Sequence, residues 1–85
     1  VQRPVPSGEE TTLASLSPGE SGEITTLEAT GALRRRLLDL GLVPGTRIEV
    51  LFKSPLGDPV AYKARGAAIA LRAAVARQIK VRRVG

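Results

Sequence analysis

Hydrophobic and polar positions change period several times along the chain, and each change marks a predicted element. ESGEITTLE, Glu20 to Glu28, alternates with Ile24 and Thr26 on one face and Thr25 and Leu27 on the other, the period of a β-strand. From Ala32 to Leu40 the period becomes helical: Leu33, Leu37 and Leu40 recur at i, i+4 and i+7, while Arg34, Arg35 and Asp39 point largely outward. Thr30 stands where an N-cap is wanted, and Gly41 where a left-handed C′ residue is wanted. Leu42, as C″, is placed to fold back onto Leu37 in a Schellman ending. So short a helix is marginal alone and must lean on a sheet.

TRIEVLFK, Thr46 to Lys53, alternates again, with Ile48, Val50 and Phe52 on the predicted core face. The turn-forming loop Ser54 to Pro59 follows, and PVAYKAR returns with Val60, Tyr62 and Ala64 on one face, completing a hairpin. Gly66 ends it. Ala67 to Arg72 reads as another short strand, Arg72 to Gln78 has room for a brief helical turn, and Ile79 to Val84 alternates with Lys80 and Arg82 outward. Pro18-Gly19 and Pro44-Gly45 supply turns, proline presetting φ and glycine tolerating the positive φ that follows. The result is a mainly β class: a small barrel of about five short strands with one short α-helix and space for a second helical turn near the C-terminus. Closure would also remove exposed strand edges, although Ala67 to Leu71, left as an edge, would permit weak self-association. Residues 1–11, with two prolines, Gly8 and a Glu pair but no periodicity, read as a flexible leader, so the domain is predicted over 12–85.

Composition narrows the chemistry. One Phe and one Tyr leave the core to Leu, Ile, Val and Ala, and a chain without cysteine has neither disulfides nor a thiolate metal site. No apolar run approaches the ~20 residues of a membrane span, and the first residues lack the apolar centre of a signal peptide, which predicts a cytoplasmic protein. The net charge of +5 is unevenly placed: residues 1–30 carry −4 and residues 31–85 carry +9. A folded chain would therefore present a basic face.

There is no His, no GxxxxGK[ST] loop and no recognisable nucleophile–base motif, so no enzyme activity and no cofactor are predicted. Asp39 follows Arg35 by one helical turn, and Asp58 beside Gly57 suits a backbone-bonding turn role, so this pair of carboxylates reads as local structure. Metal ligation would rest on carboxylates alone, with Glu9, Glu10, Glu20 and Glu23 the one conceivable group, and no specific metal site is predicted.

LSPGESGEI, then GALRRRLLDLGLVPGTRIEV, then SPLGDPVAYKARGAAIALR resembles the FeoA family in the order and spacing of its motifs, over about Leu13 to Val84. FeoA proteins are small cytoplasmic accessory proteins of bacterial ferrous iron uptake. The resemblance implies an SH3-like β-barrel, with the helix closing one side. It also implies a partner, the FeoB membrane transporter with its cytoplasmic GTP-binding domain. A related domain ends the metal-dependent repressors of the DtxR type, so a detached repressor domain is one alternative. A basic barrel binding nucleic acid is another, weakened by aromatic poverty: Phe52 falls on the predicted core face and leaves little for base stacking.

Candidate partner contacts follow. Arg34, Arg35 and Arg36 are spread by about 100° each around the helix, so no more than two share a patch; guanidinium groups suit an acidic protein surface. Leu38 and Leu42 are candidate apolar anchors within that polar rim, each with core packing as its plainer role. Pro55, Leu56, Gly57 and Asp58 form a second candidate surface on a conformationally fixed loop.

Overall fold

The fold is that of a computed structural model, which describes residues 10–84. Six strands run β1 (Glu10–Thr12), β2 (Ser21–Leu27), β3 (Arg47–Lys53), β4 (Val60–Ala64), β5 (Ala67–Leu71) and β6 (Ile79–Val84). The nine-residue helix α1 (Gly31–Asp39) and the single turn α2 (Ala73–Ala76) interrupt them. All pairings are antiparallel, in the order β1-β6-β2-β3-β4-β5. The predicted mainly β architecture with one helix and a C-terminal helical turn is what forms. Among the described residues the count is six strands, and β1 and β5 remain edges not paired to each other. Glu10 and Thr11, assigned by pattern to a leader, belong to β1 and lie opposite Arg82 and Val81; the rest of that predicted leader lies outside the described residues.

Two β-bulges explain where simple alternation misplaces side chains. An extra residue in one strand resets the phase of everything after it. In β2 the register on β6 shifts between Ile24 and Thr26, so Leu27 returns to the core side and both Ile24 and Leu27 are buried. In β3 the register on β4 shifts between Val50 and Phe52, and Phe52 leaves the core face, 61% exposed. The expectation of a buried Phe52 is thus overturned. Tyr62 is the buried aromatic.

The core is aliphatic, as composition requires: Leu13, Ile24, Leu37, Leu42, Ile48, Val50, Ile79 and Val81 are each at most 1% exposed. Turns lock the strands around it. Glu20 N–H donates to Ser17 C=O and Thr46 N–H to Val43 C=O, closing the two Pro-Gly turns. Arg65 and Gly66 both have positive φ, 53° and 81°, the pair that a two-residue type I′ hairpin demands between β4 and β5.

The C-terminus of α1 is built as its sequence predicts. Gly41 has φ +86°, its N–H donates to Leu38 C=O, and Leu42 N–H donates to Leu37 C=O, the paired bonds of a Schellman ending. Thr46, buried, adds its hydroxyl to Gly41 C=O at 3.0 Å. The stem of Arg65 lies against Gly41, so close that a Cβ there would meet Arg65 Cδ at 2.6 Å. At the other end Thr30 occupies the N-cap position but makes no side-chain cap bond.

Candidate functional site

Opposite charges stand in register across the sheet. Glu10 lies opposite Arg82, Arg82 opposite Glu23, Glu23 opposite Arg47, and Glu49 opposite Lys63. Cross-strand neighbours of opposite sign are favourable, and these pairs offset part of the strand charge. The basic surplus is carried by Arg34–Arg36 of α1, by Arg65, Arg72 and Arg77 around β5 and α2, and by Lys53 and Lys80, whose cross-strand neighbours are Val60 and the threonines Thr12 and Thr26.

The three helix arginines divide as the 100° spacing requires. Arg34 and Arg35 line a shallow depression of about 500 Å³ together with Leu38 and the start of the helix at Gly31 and Ala32. Arg34 is partly committed: its Nη1 donates to Leu27 C=O at 3.0 Å, tying α1 to the end of β2. Arg36 points to the other side. There α1 and the β5–α2 connection enclose a groove of about 200 Å³, with Leu33, Leu40, Leu71 and Val75 as apolar lining and Arg36 and Arg72 as charged rims. Among the described residues the side chains of Arg35, Arg36 and Arg72 make no hydrogen bond or ion pair, and no carboxylate lines the groove.

Several predicted residues sit elsewhere than expected. Leu42 is 0% exposed, held in the core by the Schellman turn, and is withdrawn as a partner contact. Leu38 is 37% exposed and remains available, whereas Leu40, predicted to be core, is 43% exposed and lines the groove. The apolar stripe of α1 thus runs from the core at Leu37 out to the surface at Leu40. Asp39 forms no ion pair with Arg35. Leu33, Ala70, Leu71, Arg72 and Val75 were not among the predicted contacts for the transporter: Leu33 reads as the core stripe of α1, Ala70 and Leu71 as a strand edge, and Arg72 and Val75 as ordinary surface until α1 and β5 are placed side by side.

Pro55, Leu56, Gly57 and Asp58 line neither depression nor groove; they form the β3–β4 connection. Gly57 N–H donates to Ser54 C=O and Ser54 N–H to Pro59 C=O, so the loop is fixed from within. Pro55 and Gly57 are exposed and Leu56 is 94% exposed. The Asp58 carboxylate bonds backbone, as expected of a turn aspartate, but at a distance in sequence: Oδ1 accepts Ala73 N–H at 2.9 Å, at the start of α2.

Burial first, and the negative charge of Asp58 second, push the Tyr62 phenol above its ordinary 10.0. A group whose folded value is raised binds more protons in the folded state, so its stabilising contribution is intact below about pH 10 and is lost as pH rises further. Urea unfolding followed across that window should show stability falling above pH 10 more steeply for the wild type than for Tyr62→Phe. Equal slopes would remove the buried phenol from the cause.

Among the described residues no group of three or more His, Cys, Asp or Glu is placed to hold a metal ion. Of the acidic set considered from sequence, Glu9 lies outside the described residues, and Glu10 and Glu20 are engaged locally. Glu10 Oε2 accepts the Thr25 hydroxyl, while Glu20 Oε1 accepts Ser17 N–H. No helix among the described residues is long and apolar enough to cross a membrane.

An antiparallel sheet wrapped on an aliphatic core, with one helix laid against it, defines a small SH3-like β domain. The same architecture is found in the zinc-complexed FeoA of Stenotrophomonas maltophilia, described as a prokaryotic SH3 domain protein. The two structures share a TM-score of 0.74 at 29% identity, over 84% of this chain and 88% of that one. The solution structure of FeoA from Chlorobium tepidum gives a TM-score of 0.84 at 39% identity, over 88% of this chain and 71% of that one. The FeoA domain model matches residues 11–83, and the chain belongs to the FeoA family, a family of ferrous iron transport. It is also 36% identical over 69 residues to the Fe(2+) transport protein A/Fe(2+) transporter FeoB fusion protein of Porphyromonas gingivalis, a match that covers 81% of this chain and 8% of that protein.

Proposed function

We propose that this chain is an accessory subunit of ferrous iron uptake that docks from the cytoplasm on a FeoB-type membrane transporter and its GTP-binding domain. The observation that carries this reading is the fusion relative, in which a transport protein A and a FeoB transporter share one polypeptide. Two proteins joined in one chain are held at high effective concentration, which favours a working contact between them. Ferrous iron is the cargo of the partner in this reading.

The groove between α1 and the β5–α2 connection supports the same reading. At about 200 Å³ it is smaller than the sites that enclose most small-molecule ligands, and it suits a partner's apolar side chain. An apolar floor rimmed by unpaired arginines is the layout in which a buried anchor supplies affinity and charge selects an acidic partner.

Titration against the full-length transporter and against its isolated cytoplasmic domain tests the proposal, with saturable binding to at least one expected. Leu40→Glu and Arg36→Glu should each weaken that binding by about tenfold while leaving the unfolding midpoint near the wild-type value. Failure of the wild type to bind either form of the partner would overturn docking.

A further inference from the structure

The chain has a single phenylalanine, and the fold puts it outside. The bulge at Leu51 turns Phe52 to solvent at 61% exposure, and four residues later Leu56 stands 94% exposed on the same β3–β4 hairpin. Among the described residues they are the two most exposed large hydrophobic side chains. We propose that this hairpin tip is a membrane contact, which seats Leu56 and Phe52 among the headgroups of an anionic bilayer.

Three observations favour a lipid surface over a protein as the occupant. The tip is convex: a side chain exposed to 94% has almost nothing of its own protein against it, whereas anchors in protein interfaces fill pockets. The loop also has few donors to dehydrate. Pro55 and Pro59 have no N–H, and those of Ser54 and Gly57 are already bonded within the loop, which leaves the N–H groups of Leu56 and Asp58 to the headgroup layer. Charge is arranged to match. Asp58 turns its carboxylate back to Ala73 N–H, leaving exposed Lys53 as the charge beside Phe52, in a domain whose residues 31–85 carry +9. An apolar tip with a basic flank binds through buried apolar area plus attraction to anionic lipid. The proposal goes beyond docking on the transporter and does not rest on it.

Vesicles without any transporter provide the test. The chain lacks tryptophan, so Phe52→Trp is a reporter without background. Its emission should shift to the blue on adding vesicles of mixed phosphatidylglycerol and phosphatidylcholine, and much less with phosphatidylcholine alone. In co-sedimentation of the full chain, Leu56→Ser and Phe52→Ser should each lower partitioning into the anionic vesicles by about tenfold. Lys53→Ser should reduce partitioning into the anionic vesicles alone. Leu56→Ser makes the test independent of folding, since so exposed a side chain leaves the unfolding midpoint in place. Absence of wild-type partitioning, or equal partitioning of Leu56→Ser and wild type, would overturn the proposal. So would a tip that serves only proteins: loss of transporter affinity, or of self-association in sedimentation velocity, on Leu56→Ser without vesicle binding by the wild type.

Discussion

Leu42→Ala is expected to lower the free energy of unfolding by about 2–5 kcal/mol, the range for deleting a buried leucine and leaving part of its volume empty. Leu42 is 0% exposed and belongs to the continuous aliphatic core with Leu37, Ile48 and Ile79. The substitution keeps the bond from its N–H to Leu37 C=O, because that bond is backbone; the loss is therefore one of packing. Against a total of roughly 5–15 kcal/mol for a domain, such a loss lowers the melting temperature by roughly 10 °C or more at this size. Equilibrium urea unfolding checks it, and a loss below about 1 kcal/mol would contradict the packing described. The same variant separates core from surface on α1. Folded Leu42→Ala should bind the transporter as the wild type does, whereas Leu40→Glu should bind weakly and unfold normally. Two leucines two positions apart thus exchange the phenotypes that a simple helical stripe would assign them.

That exchange marks the boundary of what periodicity reveals. The helix, its Schellman ending, both Pro-Gly turns and the β3–β4 hairpin are local features, set by residues within a few positions of one another, and the chain displays them openly. The bulges in β2 and β3 are different. An inserted residue is defined only against a partner strand, and the strand against which Thr25 is the extra residue is β6, more than fifty residues away. Alternation alone therefore buries Phe52 and sends Leu27 to the wrong face. Three-residue β1 escaped the pattern for a related reason: Glu10, Thr11 and Thr12 carry no apolar alternation and are strand because Lys80 to Arg82 of β6 face them. Arg34, Arg35 and Arg36 were legible as surface from helical spacing, whereas Leu38, whose plainer role by pattern was core packing, proves exposed. The groove was not, because Leu40 and Val75 meet across it from elements more than thirty residues apart. Charge behaves alike: the chain announces a basic half, but only strand register reveals that Arg47, Lys63 and Arg82 of the sheet face carboxylates while the arginines of α1 do not.

Gly22 carries the second large effect, and it arises from the closest approach in the sheet. A Cβ built there would stand 3.0 Å from both Cβ and Cγ2 of Val81 and 3.3 Å from Cδ1 of Leu16, all in buried side chains. Gly22 is opposite Arg83 on β6, which places Val81 diagonally next to it on the same face. Its backbone is ordinary strand without positive φ, so an alanine would gain a little from the reduced freedom of the unfolded chain. Overpacking outweighs that gain: Gly22→Ala is expected to destabilise by about 1–3 kcal/mol, since neither neighbour has free space to retreat into. Val81→Ala alone should also destabilise, by opening a cavity. Together they should cost at least about 1 kcal/mol less than their sum, because the new methyl at position 22 occupies space that Val81 vacates. Additivity within about 0.5 kcal/mol would mean that the two positions do not press on one another, and the tight β2–β6 seam would lose its explanation for the glycine.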